Sequence, residues 1–335
     1  MHDGADANGL PSGITALGDD VFAIDTHMAG YPGITSSYLI RSERPCVIEV
    51  GTAGSAEVLR DGLAALGIGA SDLATIAVTH IHLDHAGGTG DVAKMFPTAE
   101  IVVHERGARH LADPARLMRS ARMVWGDRLD LLFGEMRPTD APRIRAVAES
   151  GEIDLGGGRR LTTHYAPGHA KHHVGLVDSA NGDLYVGDAL GVYNPHTGDV
   201  RPATPPPDFD LDAAVASFRL FDGIAAQRLM FSHFGAVGEV ERTLTRAEEE
   251  LHAWVEAVTQ AHADAPDLDH AVAMVRDRVR DRYRPLPDDA PAESAHVMDV
   301  LSGVESNVSG IVHWLDRLAA DQGRGNAGDT GGSPA

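Results

Sequence analysis

Cysteine is almost absent from this chain of 335 residues: Cys46 stands alone. An intramolecular disulfide framework is therefore excluded, and a reduced, cytoplasmic setting is the expectation. Lysine is nearly as scarce, with only Lys94 and Lys171 among 28 basic residues; 49 acidic residues bring the net charge to −21. Such a field repels polyanions, no basic run stands out, and no nucleic-acid partner is expected. Long hydrophobic runs are missing too: none approaches the roughly 20 residues that span a bilayer. The opening Met1-His2-Asp3-Gly4-Ala5-Asp6 has neither the basic nor the apolar region of a signal peptide, so no membrane partner is expected. What the chain does have is 43% hydrophobic residues and the length to bury a large core, as one domain or one domain with an appendage.

One short run carries most of the chemical information. Thr79-His80-Ile81-His82-Leu83-Asp84-His85 follows the β-prone stretch Ala74-Thr75-Ile76-Ala77-Val78, a strand delivering polar side chains into a loop at a sheet edge. Neutral imidazole and ionised carboxylate are ligands that zinc and neighbouring first-row cations prefer. His80 and His82, two apart on extended backbone, project to one side and can grip one ion; Asp84 and His85, past the bend, can face a second. The chain has 18 histidines, and isolated ones such as His2, His110, His252 and His262 read as solvated surface or helix residues.

The remaining pattern places this run in a fold. Val21–Ile24, Ser37–Ile40 and Cys46–Val50 read as strands, with Cys46 in the core; a helix with Ser55 as N-cap and Gly67 as stop follows. Ala74–Thr79 and Ile101–Val103 are further strands, separated by a helix through Asp91–Phe96. Residues 105–135 read as irregular helix, with Met118, Met123, Val124, Trp125, Leu129 and Leu132 as a packing face. Strands then recur at Ile153–Leu155, Leu161–Tyr165, Val174–Val177, Leu184–Val186 and Leu229–Ser232, with a hairpin turn at Asn181-Gly182-Asp183 and a helix over Phe209–Phe221. Two strand runs, each followed by helices, predict an α/β (α+β) four-layer αββα sandwich of two mixed sheets. Residues 1–13 are expected to be disordered, 14–237 to form the catalytic domain, 238–320 a helical extension broken near Pro266 and Pro285–Pro291, and 321–335 a disordered tail.

Three more candidate ligands sit at strand ends: His169 after the turn Pro167-Gly168, Asp188 after Gly187, and His233 after the last strand. With His-x-His-x-Asp-His at 80–85, these residues resemble the metallo-β-lactamase-fold superfamily, on its glyoxalase II-like side, in a subgroup of stand-alone prokaryotic members. The match runs from about Val21 to Gly235. The resemblance implies that His80, His82 and His169 hold one metal, that Asp84, His85 and His233 hold the other, and that Asp188 bridges them. One departure is visible: the family's third strand usually ends in aspartate and glycine, whereas this chain has Glu49-Val50-Gly51-Thr52. Glutamate there can accept from a ligand histidine and orient its ring, or pair with an arginine. Flavodiiron relatives carry glutamate at the position of His82 together with a flavodoxin domain, several β-lactamases use a late cysteine ligand, and RNA-processing members carry inserted domains; this chain has none of these.

The expected chemistry is that of two divalent ions, zinc first, with manganese or iron as alternatives, about 3.5–4 Å apart and sharing a hydroxide. Asp84 would steer the water, and the substrate would be a small molecule with an ester, thioester, lactone or amide bond. Tyr193, on the loop after Asp188, is expected either to donate its phenol to a substrate carbonyl or to pack. His172 and His173 support ligands or face solvent, the Pro202–Pro207 segment forms a rim, and the C-terminal helices cap the pocket or form a homodimer face. A single-iron persulfide dioxygenase and a non-catalytic metal-binding protein are the alternatives.

Overall fold

The computed structural model describes residues 9–264, 267–284 and 303–328. Strands β1 (Ile14–Gly18), β2 (Val21–Asp25), β3 (Ser36–Ile40), β4 (Cys46–Ile48), β5 (Thr75–Ala77), β6 (Glu100–His104) and β7 (Ile144–Val147) lie side by side in sequence order in one sheet. Pairing is antiparallel as far as β4 and parallel from β4 to β7. The parallel part needs crossovers. These are supplied by α1 (Ala56–Ala65), then α2 (Leu83–Ala86) and α3 (Thr89–Met95), then α4 (Glu105–Ala112), α5 (Ala115–Trp125) and α6 (Arg128–Leu132). A second sheet has the order β15-β14-β11-β10-β9-β8, built from β8 (Ser150–Asp154), β9 (Arg160–Tyr165), β10 (Val174–Asp178), β11 (Asp183–Gly187), β14 (Arg228–Phe231) and β15 (Gly235–Val237). A small hairpin of β12 (Val192–Asn194) and β13 (Asp199–Arg201) stands beside it. Helix α7 (Leu211–Asp222) leads into β14, and α8 (Val240–Asp264), α9 (Leu268–Val279) and α10 (Val304–Gly328) follow the sheet.

Side-chain alternation along the strands sets the layers. Phe22, Ile24, Leu39 and Val47 face outward onto Leu59 and Leu63 of α1. Their neighbours Val21, Ala23, Tyr38, Cys46 and Ile48 face inward and pack on Leu161, Val174, Leu176, Tyr185 and Met230 of the second sheet. Leu184, Val186, Leu229 and Phe231 face outward again, onto Phe218 and Phe221 of α7, Trp254 of α8, Val275 of α9 and Ile311 of α10. The result is the expected αββα sandwich, with each large buried side chain contributing about 1.5–3 kcal/mol. Cys46 is a fully buried core residue whose thiol pKa burial pushes up, so it is inert. Among the described residues no helix is long and apolar enough to cross a membrane.

Several expectations are corrected. β1 and β7 escape notice because they close the edges of the sheet, where few of their side chains are buried; β12 and β13 are three residues each. Ser55 precedes α1, but its hydroxyl pairs with Thr52 Oγ1 at 2.9 Å and not with the helix backbone. In the stripe from Met118 to Leu132, Leu129 is buried, whereas Met123 is 82% and Val124 58% exposed, so α5 is only a partial packing face. Leu10 packs on the first core, and α10 runs to Gly328, into the expected tail. Residues 1–8, Pro266, the Pro285–Pro291 break and residues 329–335 lie outside the described residues.

Helix α10 is docked on the Pro202–Pro207 segment by two devices. Asn307 accepts from Thr204 N–H at 2.8 Å and donates to Pro202 O at 2.8 Å while buried. At Gly310 a Cβ would stand 1.7 Å from Thr204 O, so only glycine permits this approach. Asn307→Ala should leave the buried Thr204 N–H and Pro202 carbonyl without partners, at roughly 1–3 kcal/mol each. A drop in Tm on thermal unfolding is the expected outcome, and an unchanged Tm would show the docking to be unimportant.

Candidate metal centre

The seven candidate ligands come from both sheets. β5 ends at Ala77 and α2 begins after His82, so His80 and His82 lie on the connecting segment, His82 with extended backbone, while Asp84 and His85 occupy the first turn of a helix. His169 follows β9, Asp188 follows β11 and His233 follows β14. Parallel pairing of β11 with β14 brings the last two ends together. Close approach at Asp188 depends on Gly187 (φ +51): a Cβ there would meet His173 Nε2 and Thr79 Oγ1, each at 2.5 Å.

Two ligand groups result. His82 Nδ1 lies 3.1 Å from His80 Nε2 and 2.9 Å from His169 Nε2, while His233 Nε2 lies 3.2 Å and His85 Nε2 3.6 Å from Asp84 Oδ2. Asp188 stands between the groups: Oδ2 is 3.4 Å from His85 Nε2 and 3.7 Å from His169 Nε2, and Oδ1 is 3.7 Å from His233 Nε2. Glu49, His80 and His85 also converge, which brings Glu49 itself within reach of the cluster.

Hydrogen bonds on the far side of the rings fix which nitrogen faces inward. His169 Nδ1–H donates to Ala203 O at 2.9 Å and His233 Nδ1–H to Ile34 O at 2.9 Å, leaving each Nε2 lone pair for the site. His80 Nδ1 lies 2.9 Å from Thr79 Oγ1, whose hydroxyl in turn donates to Glu49 Oε1. Glu49 also accepts from Thr79 N–H at 3.3 Å and Ser232 Oγ at 3.4 Å, lies 3.7 Å from His85 Nδ1, and has no arginine partner among the described residues. The orienting role read for the glutamate thus fits the geometry, and the arginine pair does not. His173 Nε2 accepts from Asp188 N–H at 3.1 Å, and His172 Nδ1 accepts from Ile81 N–H.

The donor set fits metal ions. Buried atoms without a hydrogen-bond partner include both ring nitrogens of His85, Asp188 Oδ1 and Glu49 Oε2, an arrangement that is costly unless a cation satisfies it. Burial and neighbouring rings hold His80 well below its usual range and His82 at about 4, and burial keeps His169 low as well; all three rings are neutral, the form in which imidazole binds a metal. Burial alone would also lower His85 and His233, but Asp188 and Asp84 outweigh it and raise both. Burial opposes ionisation of Asp84 and Asp188, yet the adjoining histidines hold both carboxyls below the usual range. The first group is electrically neutral, whereas the second carries a field that demands positive charge.

The centre forms the floor of a cleft of about 720 Å3, lined there by His82, Asp84, His169, His172 and Asp188. Tyr193 is not brought to it. Its backbone N–H bonds His233 O at 2.6 Å, but its ring stacks on Phe231 at 5.5 Å and borders a separate hollow with Asp199 and Glu239. The expectation of a phenol at the substrate carbonyl is corrected in favour of packing, because β12 turns the side chain away. Thr79 and the carbonyls of Ile34 and Ala203 carry no sequence signal of their own; they matter only through contacts formed on folding. His110, read as an isolated helix residue, lines the outer cleft.

The family model of the metallo-beta-lactamase superfamily matches residues 30–233. The chain belongs to that superfamily. The metallo-beta-lactamase fold-containing protein ST1585 of Sulfurisphaera tokodaii is 34% identical over 135 residues, which are 39% of this chain and 49% of that protein. The solved structure of ST1585 superposes with a TM-score of 0.65 at 21% identity, covering 88% of this chain and 98% of that one. Bovine acyl-coenzyme A thioesterase MBLAC2 is 25% identical over 67% of this chain and 81% of its own. A hydroxyacylglutathione hydrolase of Synechococcus is 27% identical over 46% of this chain and 48% of its own. The sequence matches thus span about half the length of the archaeal and cyanobacterial relatives.

Glu49→Ala should remove the acceptor that holds Thr79 and, through its hydroxyl, His80, and weaken metal binding roughly 10–100-fold. Competition against a chromophoric chelator reads this directly. Equal affinity in the variant would reduce Glu49 to a packing residue.

Proposed function

We propose that this chain is a hydrolase that uses two divalent ions, zinc first, with manganese or iron as alternatives, to cleave an ester, thioester, lactone or amide bond of a small molecule. The observation that carries the reading is the pair of ligand groups flanking Asp188 at the floor of an open cleft. When bound, such ions supply a water acidified towards neutrality and a Lewis acid for the substrate carbonyl. His80, His82 and His169 would hold one, Asp84, His85 and His233 the other, with Asp188 shared. The activities named for two relatives, an acyl-coenzyme A thioesterase and a hydroxyacylglutathione hydrolase, put the thioester first among these bonds.

The chain's own groups have separate tasks in this reading. Asp84, ionised and half-turned to the cleft, accepts a hydrogen bond from the attacking water and orients it. His172 lines the cleft, and because its Nδ1 accepts from Ile81 N–H, its proton resides on Nε2. That N–H can donate a hydrogen bond to the substrate oxygen or the leaving group. His173 holds the Asp188 backbone, and Glu49 holds Thr79, so neither needs to touch substrate.

The deciding experiment is metal analysis joined to a hydrolysis panel. Two equivalents of metal per chain and metal-dependent turnover of a thioester are expected; no turnover of any ester, thioester or lactone by the metal-loaded protein would overturn the reading. Oxygen uptake with a persulfide would favour the dioxygenase instead. Asp188→Asn should lower turnover on the order of 100-fold or more, the scale on which loss of a charge-stabilising group acts. Acidification supplies a further check. Protons compete best where ring pKa values are raised, at His85 and His233, and worst at His82, held at about 4. As pH falls, the Asp84–His85–His233 position should empty first and the His80–His82–His169 position later. Titration of metal release that shows a single step, or the reverse order in ligand variants, would contradict this assignment.

A further inference from the structure

Many arginines of this acidic chain are matched to a carboxylate. Arg41, Arg122, Arg145, Arg159, Arg228 and Arg282 each lie 2.5–2.9 Å from an Asp or Glu oxygen. Arg106, Arg109 and Arg116 are among the described arginines that have no carboxylate partner, and these three line the cleft above the candidate metal centre. Their partners are uncharged: the Arg106 guanidinium stands 5.5 Å over the Tyr165 ring, and Arg109 Nε–H donates to His110 Nε2 at 3.1 Å. Arg106 and Arg109, three apart on α4, share a helix face, and Arg116 lies in the first turn of α5. Lys171 also lines the cleft but is taken by Asp208 at 3.0 Å, which leaves Glu105 as the other acid there outside the metal ligands. A net positive wall has therefore been kept in a protein whose overall charge is −21. The same wall carries Leu117, Ala121 and Trp125.

We propose that Arg106, Arg109 and Arg116 form the binding site for an anionic leaving group, so that the substrate is an acyl ester or thioester of an anionic carrier. Guanidinium forks match phosphate and carboxylate oxygens in pairs, and a local field opposed to the global one concentrates anions at the cleft. The anion is supplied either by the phosphates of a nucleotide-type thiol or by the carboxylates of a peptide thiol. Leu117, Ala121 and Trp125 then offer apolar surface to the uncharged part of the same molecule. The inference rests on the hydrolase reading for the bond that is cut: water adds to the acyl carbon, the bond to sulfur or oxygen breaks, and a carboxylate, a thiol or alcohol, and one proton are released.

The test uses the metal-loaded full chain and the exposed double variant R109Q/R116Q, with Arg119→Gln, on the same helix outside the cleft wall, as control. KM is measured for the coenzyme A, glutathione and uncharged N-acetylcysteamine thioesters of one acyl group. The ratio of KM for an anionic thioester to that for the uncharged one should rise roughly tenfold in the double variant and stay constant in the control. Which anionic thioester responds distinguishes phosphate from carboxylate. Calorimetric binding of adenosine 3′,5′-bisphosphate and of S-methylglutathione is measured without turnover. Arginine-dependent binding of either probe upholds the site even if no thioester is cut, in which case the hydrolase reading alone fails. Absence of binding by both probes, or equal affinity in the double variant, would overturn the anion site.

Discussion

Lone pairs converge in this structure where water is largely excluded. Three imidazole nitrogens face one another across 2.9–3.1 Å contacts, and two carboxylates and two further rings adjoin them, most of them buried. Acceptors so arranged repel one another unless a positive charge lies between them. The raised pKa values of His85 and His233 state the same need in another form, since in the field of Asp84 and Asp188 a proton takes the place of a cation. The rest of the fold holds this unfavourable arrangement together, and metal binding would return the cost.

The frame does so by docking two sheets. His80, His82, Asp84 and His85 follow the first sheet, and His169, Asp188 and His233 the second, so neither half assembles the centre alone. Cross-sheet ties lie next to the ligands: Ser36 N–H donates to Ser232 O at 2.9 Å, the Tyr38 hydroxyl donates to Phe231 O, and His233 Nδ1–H reaches Ile34 O. A one-residue register slip of a strand within either sheet would turn its inward-facing side chains outward and disperse the ligands. Metal affinity and inter-sheet packing are therefore coupled quantities in this protein.

How much of this could be read in the sequence depended on distance along the chain. The 80–85 run is legible because its residues are local, and His169, Asp188 and His233 because each follows an apolar strand at the same kind of position. The sandwich is legible from strand runs with both faces apolar. Edge strands β1 and β7 are not, since half-exposed residues lack that signal. Tyr193 shows the limit of proximity in sequence: five residues from Asp188, it turns to another face once β12 pairs with β13. Met123 and Val124 belong to a stripe of loosely helical spacing, yet α5 lies at the surface. The unmatched arginines were hidden because sequence composition averages charges that folding separates.

Glu49 ties these observations together. It stands where aspartate is usual in the family, and its longer side chain occupies a strand end at φ 66, in the left-handed region that a non-glycine residue adopts at a cost of roughly 1–3 kcal/mol. The fold bears that cost next to its most polar interior. From this position one carboxylate oxygen takes the Thr79 hydroxyl and N–H and the Ser232 hydroxyl, so it links the motif loop of the first sheet to the end of β14 in the second. The other oxygen has no hydrogen-bond partner, and neither has either ring nitrogen of His85, whose Nδ1 lies 3.7 Å from the first oxygen. A single carboxylate oxygen thus ties the ligand loop of the first sheet to the second sheet beside the site.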